Sequence, residues 1–110
     1  MSRTTIDLPF PPEDVAAGEQ ATVWKATIDP EPGVVGIDMP FGAEMLFARE
    51  QGEHVAVWFR CDPRRSSAPR KIAMVETGKA APAQSSGRYV GSALFDGGAY
   101  VLHVFESTNS

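Results

Sequence analysis

The sequence predicts an all-β protein: a small antiparallel sandwich or barrel of about seven strands with an irregular N-terminal arm. Its apolar runs are short, rich in β-branched and aromatic residues, and punctuated by Gly, Pro or Asp, as in small antiparallel sheet proteins. No apolar run has the length and period of a long helix, which leaves a sandwich or a barrel as the economical arrangement. The 110 residues are enough for one domain with a single apolar core.

Seven segments have the alternation and composition of strands. We predict them at residues 22–28, 34–38, 43–49, 55–61, 70–76, 88–95 and 100–105. Turn-forming residues separate them, most clearly at 29–33 and at 96–98, and the third and fourth strands should form a hairpin, as should the sixth and seventh. Alternation places Met45 and Phe47 on one face of the third strand and turns Trp58 away from the core. The last strand is apolar on both faces, which predicts a central strand or an interface with another chain.

The N-terminal residues read differently from the rest of the chain. Prolines at positions 9, 11 and 12 exclude regular structure there, because proline fixes φ and removes a backbone donor. We therefore predict an arm at residues 1–20, laid over the domain or a neighbouring subunit, with one helical turn at 12–17. Residues 21–106 form a single β domain, and 107–110 form a polar tail. Neither a signal-peptide core nor an apolar run of membrane-spanning length is visible, so we expect a soluble protein of the bacterial cytoplasm that does not contact membranes.

Charge and residue usage exclude several function classes. The net charge of −4 argues against a nucleic-acid-binding protein, which needs a basic face. Cys61 is the single cysteine, so no intramolecular disulfide forms, and we predict a buried strand residue. His54 and His103 lie on different predicted strands without ligand spacing, so we predict no metal and no cofactor. Because no catalytic motif is present, we predict a protein that is not an enzyme; a small hydrolase using His103 or convergent carboxylates stays as a further alternative.

One charge cluster stands out against this acidic background. Half of the ten basic residues fall within twelve positions, on a loop and the strand ends it joins: Arg60, Arg64, Arg65, Arg70 and Lys71. Guanidinium groups match phosphate and carboxylate oxygens, and an exposed Trp58 beside them would add the aromatic partner typical of interface hot spots and base-stacking sites. We interpret this basic rim, with Trp58, as a site for an anionic ligand. The alternative is a solvated loop that protects the sheet edge from aggregation.

Several short motifs follow one another along the last two-thirds of the chain. They are Pro40-Phe41-Gly42-Ala43, Trp58, Asp62-Pro63, Arg70, Thr77-Gly78, Tyr89-Val90-Gly91 and His103-Val104-Phe105-Glu106. In this order they resemble a family of small uncharacterised proteins from actinobacterial phages and prophages. The chain departs from the family pattern at Phe47, where several members carry His, and at Ser92, where they carry Thr. The resemblance implies an accessory protein that binds a host component or sequesters a small signal, which is an argument by analogy.

These observations together predict a non-catalytic phage or prophage accessory protein that forms a homo-oligomer. It would bind a nucleotide-type signal or a host protein at the basic rim, with antagonism of host defence as a role. The alternative is a minor phage structural or assembly protein, in which the arm and the last strand would make subunit contacts.

Overall fold

A computed structural model describes residues 21–107 and shows one seven-stranded sheet curled into a nearly closed barrel. The strands are β1 (Thr22–Ile28), β2 (Gly33–Pro40), β3 (Glu44–Gln51), β4 (His54–Cys61), β5 (Ser67–Glu76), β6 (Tyr89–Phe95) and β7 (Tyr100–Glu106). Two short 3-10 turns, Ala83–Ser86 and Asp96–Gly98, flank β6. In this part of the chain no helix has the length and apolar character needed to cross a membrane. The all-β prediction is confirmed, while the predicted arm with its helical turn and most of the polar tail lie outside the described residues.

The strand order around the sheet is β1-β4-β3-β6-β7-β5-β2. All neighbours are antiparallel except β3 and β6, which run parallel and share the single bridge Ala48–Gly91. The sheet is therefore mixed and not purely antiparallel as expected, because one strand from each of two separate hairpins meets at this junction. The last strand, β7, lies between β6 and β5, which confirms its predicted central position. The edge strands β1 and β2 are consecutive in the chain and are joined by residues 29–32.

The core fills the inside of the barrel with alternate side chains from every strand. Its largest fully buried side chains include Met39, Met45, Ile72 and Leu102. Burying a side chain of this size contributes about 1.5–3 kcal/mol. Cys61 belongs to the same core, as predicted, and burial raises the pKa of its thiol. The core thus holds all seven strands around one apolar centre.

A bulge in β3 changes the expected facing of its side chains. The pairing of β3 with β4 shifts between Met45 and Phe47, so that Leu46 is an extra residue in the ladder. Met45 is buried, whereas Phe47 is 47% exposed on the outside of the barrel. The expectation that these two residues share a face was wrong, because the inserted residue reverses the alternation after it. Phe47 consequently lies beside Trp58, with ring centroids 5.7 Å apart.

The parallel junction between β3 and β6 depends on a missing side chain. A methyl group on Gly91 would lie 2.1 Å from the Ala48 carbonyl oxygen, a distance that no packed structure tolerates. Further along the junction, the Glu50 carboxylate accepts a hydrogen bond of 2.9 Å from the backbone N–H of Leu94. This bond, with smaller help from its own backbone and Arg49, lowers the pKa of Glu50 to about 2. Backbone contact and one carboxylate together close this side of the barrel.

Candidate functional site

One end of the barrel collects five arginines, and we call it the arginine end. Its members are Arg60, Arg64, Arg65, Arg70 and Arg88. The pairs Thr22–Cys61, Pro40–Ser67 and Tyr89–Phe105 show that β1, β5 and β6 begin at this end while β2, β4 and β7 finish there. The sheet therefore brings together arginines that lie up to 28 positions apart in the sequence.

Arg64 forms the best-defined ion pair of the arginine end. Its Nε and Nη2 donate to the two carboxylate oxygens of Asp62 at 3.0 and 2.9 Å, and its backbone N–H donates to the same carboxylate at 3.0 Å. Asp62 is only 3% exposed, and the hydrogen bonds from Arg64 lower its pKa. A buried carboxylate without its partner would be costly. Arg64 therefore stays paired with Asp62.

Arg70 and Arg88 share one carboxylate where β7 ends. The Glu106 carboxylate lies 3.6 Å from Arg70 Nη2 and accepts bonds from Nε (3.0 Å) and Nη2 (2.5 Å) of Arg88. Arg70 also donates to the Ala43 carbonyl at 2.7 Å, and Arg88 donates to the Met45 carbonyl. These bonds tie β3 to β5, β6 and β7. They also leave two guanidinium groups beside one carboxylate.

Arg60 and Arg65 are the two arginines of this end that pair neither with the buried Asp62 nor with Glu106. Arg60 pairs at 2.5 Å with Glu44 in a half-exposed surface contact that lowers the pKa of Glu44. Arg65 lies over the ring of Phe41 at 5.4 Å, and among residues 21–107 no carboxylate pairs with it. Phe41 is 63% exposed at the turn between β2 and β3. The remaining basic residue of the predicted rim, Lys71, is exposed on β5.

The outer surface of four neighbouring strands carries what we call the aromatic wall: Phe47, Trp58, Tyr89 and Phe105. Trp58 packs on Phe47, and the rings of Tyr89 and Phe105 lie 5.6 Å apart. Phe47 and Tyr89 are each about half exposed, at 47% and 53%. Trp58 points outward, as predicted, and belongs to this wall more than to the arginine end.

A chain of hydrogen bonds continues from the wall across β6 and β7. Tyr89 Oη and Ser92 Oγ share a bond of 2.6 Å, Ser92 Oγ lies 3.0 Å from His103 Nδ1, and Thr77 Oγ1 lies 2.7 Å from His103 Nε2. Both ring nitrogens of His103 therefore lie within hydrogen-bond distance of hydroxyl groups. A hydrolase triad needs a carboxylate on the second ring nitrogen to stabilise the imidazolium, and here that place is taken by a neutral hydroxyl. Across residues 21–107, no three metal-ligating side chains converge.

The opposite end of the barrel is acidic, and we call it the acidic end. Its carboxylates are Asp29, Glu31, Glu50, Glu53, Glu76 and Asp96. A pocket of about 460 Å³ opens beside it, lined by the facing parts of β1 and β2, the linker between them and Met74. Burial, helped by the charges of Glu76 and Glu31, raises the pKa of Tyr100. The charges of the barrel are thus separated along its axis.

The sequence of this chain can now be placed among known proteins. A family model described as a domain of unknown function (DUF7352) matches residues 19–110. The chain belongs to the DUF7352 family. The match contains all seven strands of this DUF7352 protein and leaves residues 1–18 outside it. No curated protein and no solved structure matches the DUF7352 protein.

The DUF7352 protein brings together four of the six residues predicted for the site. Arg60, Arg64, Arg65 and Arg70 meet at the arginine end, whereas Lys71 lies on the flank of β5 and Trp58 lies on the aromatic wall. Sequence reasoning missed Arg88 and Glu106, which join this end because β7 pairs with both β6 and β5. It also missed Phe41 as the partner of Arg65. The Phe-Gly turn before β3 was the sequence feature from which an exposed Phe41 could have been predicted.

Proposed function

We propose that this DUF7352 protein is a non-catalytic binding protein that recognises an anionic partner at its arginine end. The observation that carries the proposal is the charge excess there. Five guanidinium groups face four carboxylates, those of Asp38, Glu44, Asp62 and Glu106, within the described residues of a protein whose net charge is −4. A local excess of one sign attracts a partner of the other and orients it on approach.

The surface that we propose contacts the partner contains fewer residues than the basic rim predicted from the sequence. Arg64 is engaged with buried Asp62, and Arg70 is engaged with Glu106 and a backbone carbonyl, so both hold the shape of the end. Arg60 pairs only with the exposed Glu44, and Arg65 has no carboxylate partner among residues 21–107, so both can exchange partners. Arginine beside an exposed aromatic ring is the combination enriched in interface hot spots. We assign direct contact to Arg60, Arg65 and Phe41.

The shape of the surface favours an acidic protein face over a small molecule. Phe41 projects at a turn, whereas small ligands are held in concave pockets. The pocket between β1 and β2 lies at the acidic end, where carboxylates repel an anion. The motif order described above supports a phage or prophage accessory role, with a host protein as partner and antagonism of host defence as the outcome. A nucleotide-type ligand is the competing result of the test.

The test compares two double variants of equal charge. Arg60→Gln with Arg65→Gln removes the two cations assigned to direct contact, and Arg49→Gln with Lys79→Gln removes two cations from the other end. Two surface charges worth about 0.5 kcal/mol each predict roughly fivefold weaker binding of a fluorescein-labelled glutamate-rich peptide for the first variant only. Equal binding by both variants would refute the site. Tighter binding of ATP than of the peptide would identify a nucleotide-type ligand instead.

A second candidate is a phage structural or assembly protein that self-associates through the aromatic wall. Exposed contiguous apolar surface usually marks an interaction site, and Phe47 and Tyr89 expose about half of their side chains. We propose that a second copy of the chain packs against the aromatic wall, in line with the expected homo-oligomer. Sedimentation velocity over a concentration series should show an oligomer that Phe47→Ser dissociates. A monomer at every concentration would reject this candidate.

A further inference from the structure

We infer that the gap between β1 and β2 binds an extended basic peptide of another protein, which pairs with both strands and completes the barrel as an added strand. The two edge strands follow each other in the chain, yet among residues 21–107 no strand pairs with their free edges. Unpaired strand edges are templates for a further strand. This surface and the charge of its partner differ from those of the proposed function, so the inference does not depend on that function.

The backbone of β2 presents its free edge at alternate residues. The N–H of Phe41, the residue after β2, donates to the Ser66 carbonyl at 2.7 Å and so continues the ladder of β2 with β5. Because bonding directions alternate along an antiparallel strand, the odd-numbered residues of β2 bond to β5. The N–H and C=O groups of Val34, Gly36 and Asp38 therefore point away from β5 and toward the gap. β1 pairs on one side with β4 and presents alternate residues in the same way.

The linker between β1 and β2 leaves room for a strand between them. Residues 29–32 include prolines at positions 30 and 32, which have no N–H to donate to a hairpin ladder. Five Cα–Cα steps join Ile28 to Gly33, and they reach about 17 Å when extended. Neighbouring strands lie about 4.8 Å apart, so two strands on either side of a third are separated by roughly 10 Å. The linker is therefore long enough to pass an inserted strand.

The pocket of about 460 Å³ in the acidic half of the gap has an apolar floor. Ile28 and Val35 pack against the core from the two edge strands but are only partly buried, and Met74 lines the pocket with them. Further along β1, Trp24 packs against Phe59 on the core side and is nevertheless 44% exposed. These apolar side chains would be covered by an added strand. Since side chains alternate between the two faces of a strand, every second residue of the peptide should be apolar.

The charge around the gap favours a basic peptide. Residues 22–40 contain three carboxylates and one basic side chain, Lys25, which reaches across β4 to donate to Gln51 on β3. Asp29 and Glu31 line the pocket, and Asp29 is 83% exposed with His54 3.9 Å away. Carboxylates beside an apolar floor attract and orient a segment in which lysine or arginine alternates with apolar residues. We therefore assign such a segment to the gap.

The first experiment uses the full chain and a fluorescein-labelled peptide with the length of β1, in which valine alternates with lysine. We expect saturable binding, with larger amide NMR shift changes at residues 23–27 and 34–38 than at residues 89–94 on the far side of the barrel. A second peptide carries N-methyl groups on alternate residues, which keep its charge and remove backbone donors. Losing several hydrogen bonds predicts binding at least about tenfold weaker. Equal binding of the two peptides, or binding of neither, would overturn the inference.

The second experiment changes one donor on the free edge of β2. Gly36→Pro removes an N–H that faces the gap and keeps the bonds to β5, because proline is tolerated on the open side of an edge strand. Gly36→Ala is the matched control that keeps the N–H. We expect about fivefold weaker binding of the valine–lysine peptide for Gly36→Pro alone, as for one lost hydrogen bond. Equal binding by two variants that urea denaturation shows to be folded would refute the pairing. The N-methylated peptide decides the question if Gly36→Pro does not fold.

The third experiment separates the gap from net charge and from self-association. Asp29→Asn with Glu31→Gln removes both carboxylates of the pocket, and Glu44→Gln with Asp96→Asn gives the same charge change away from the gap. Two surface charges predict roughly fivefold weaker peptide binding for the first variant only. An equal loss in both variants would contradict the inference. A wild-type dimer that Gly36→Pro converts to a monomer in sedimentation velocity would also overturn it, because a second copy would then occupy the edges.

Discussion

The barrel closes at one junction and stays open at another. Between β3 and β6, the backbones of Ala48 and Gly91 touch, and Glu50 bonds across the same junction. Between the edge strands β1 and β2, a pocket of about 460 Å³ separates side chains, and Val34 stays exposed. Closure between β3 and β6 therefore depends on the absence of a side chain at Gly91. The gap between β1 and β2, which we call the open seam, has room for side chains. We expect substitutions to lower the free energy of unfolding strongly at the junction between β3 and β6 and only slightly at the open seam.

The largest effect should follow Gly91→Ala. The added methyl group would overlap the Ala48 carbonyl, so β6 must move away from β3, and we expect a loss of more than about 3 kcal/mol in the free energy of unfolding. Urea denaturation measures it. The matched control is Gly36→Ala, where the nearest atom lies 3.9 Å away and the stability should change by less than about 1 kcal/mol. Equal midpoints for both variants would show that the junction is loose.

An intermediate effect is expected from Ala48→Val. Ala48 is fully buried at the junction, and extra methyl groups in a packed core cost about 1–3 kcal/mol. Ala26→Val makes the same change on the edge strand β1, where the residue is only partly buried, and should stay within about 0.5 kcal/mol. Thermal unfolding of the two variants side by side tests the comparison. A larger loss for Ala26→Val would reverse it.

A pH-dependent effect is expected from Glu50→Gln. The pKa of Glu50 is lowered from 4.5 to about 2 in the folded chain, so this carboxylate stabilises the fold above its ordinary pKa. That stabilisation is lost as the pH falls through about 2. The difference in unfolding free energy between wild type and Glu50→Gln should therefore shrink between pH 4.5 and 2. Glu53→Gln, at the exposed β3–β4 turn, is the control, and a difference independent of pH would contradict the assigned bond.

The smallest effect is expected from Val34→Lys at the open seam. Val34 is exposed on edge strand β2, and surface substitutions of this kind change stability by about 0.5 kcal/mol or less. Chemical denaturation at neutral pH is sufficient to measure it. A loss comparable with that of Ala48→Val would mean that the seam is closed in solution.

The strands were largely predictable because their signals are local. Runs such as residues 55–61 and 100–105 differ from the observed strands by one residue, and the turn at Asp96–Gly98 has positive φ at all three positions. The parallel contact of β3 with β6 was not predictable, because nothing in either strand specifies a partner from another hairpin. The bulge at Leu46 was equally hidden, since alternation alone assigns Phe47 to the core.

The candidate site was predictable only in its charge. The clustering of Arg60, Arg64 and Arg65 is visible in the sequence, and the Asp-Pro-Arg spacing hints that Asp62 binds Arg64. That Glu106 neutralises arginines 18 and 36 positions away depends on the register of β7 with β5 and β6. Reasoning from neighbouring residues alone therefore treated several arginines as unpaired, although the fold pairs them with carboxylates.

The separation of charge along the barrel has a kinetic consequence. With five arginines at one end and most exposed carboxylates at the other, the charge of the described barrel is unevenly distributed along its axis, which gives it an electric dipole. An approaching charged molecule exerts a torque on such a dipole and rotates the protein before the two surfaces touch. The speed of encounter, more than the lifetime of the complex, should then fall as salt is added.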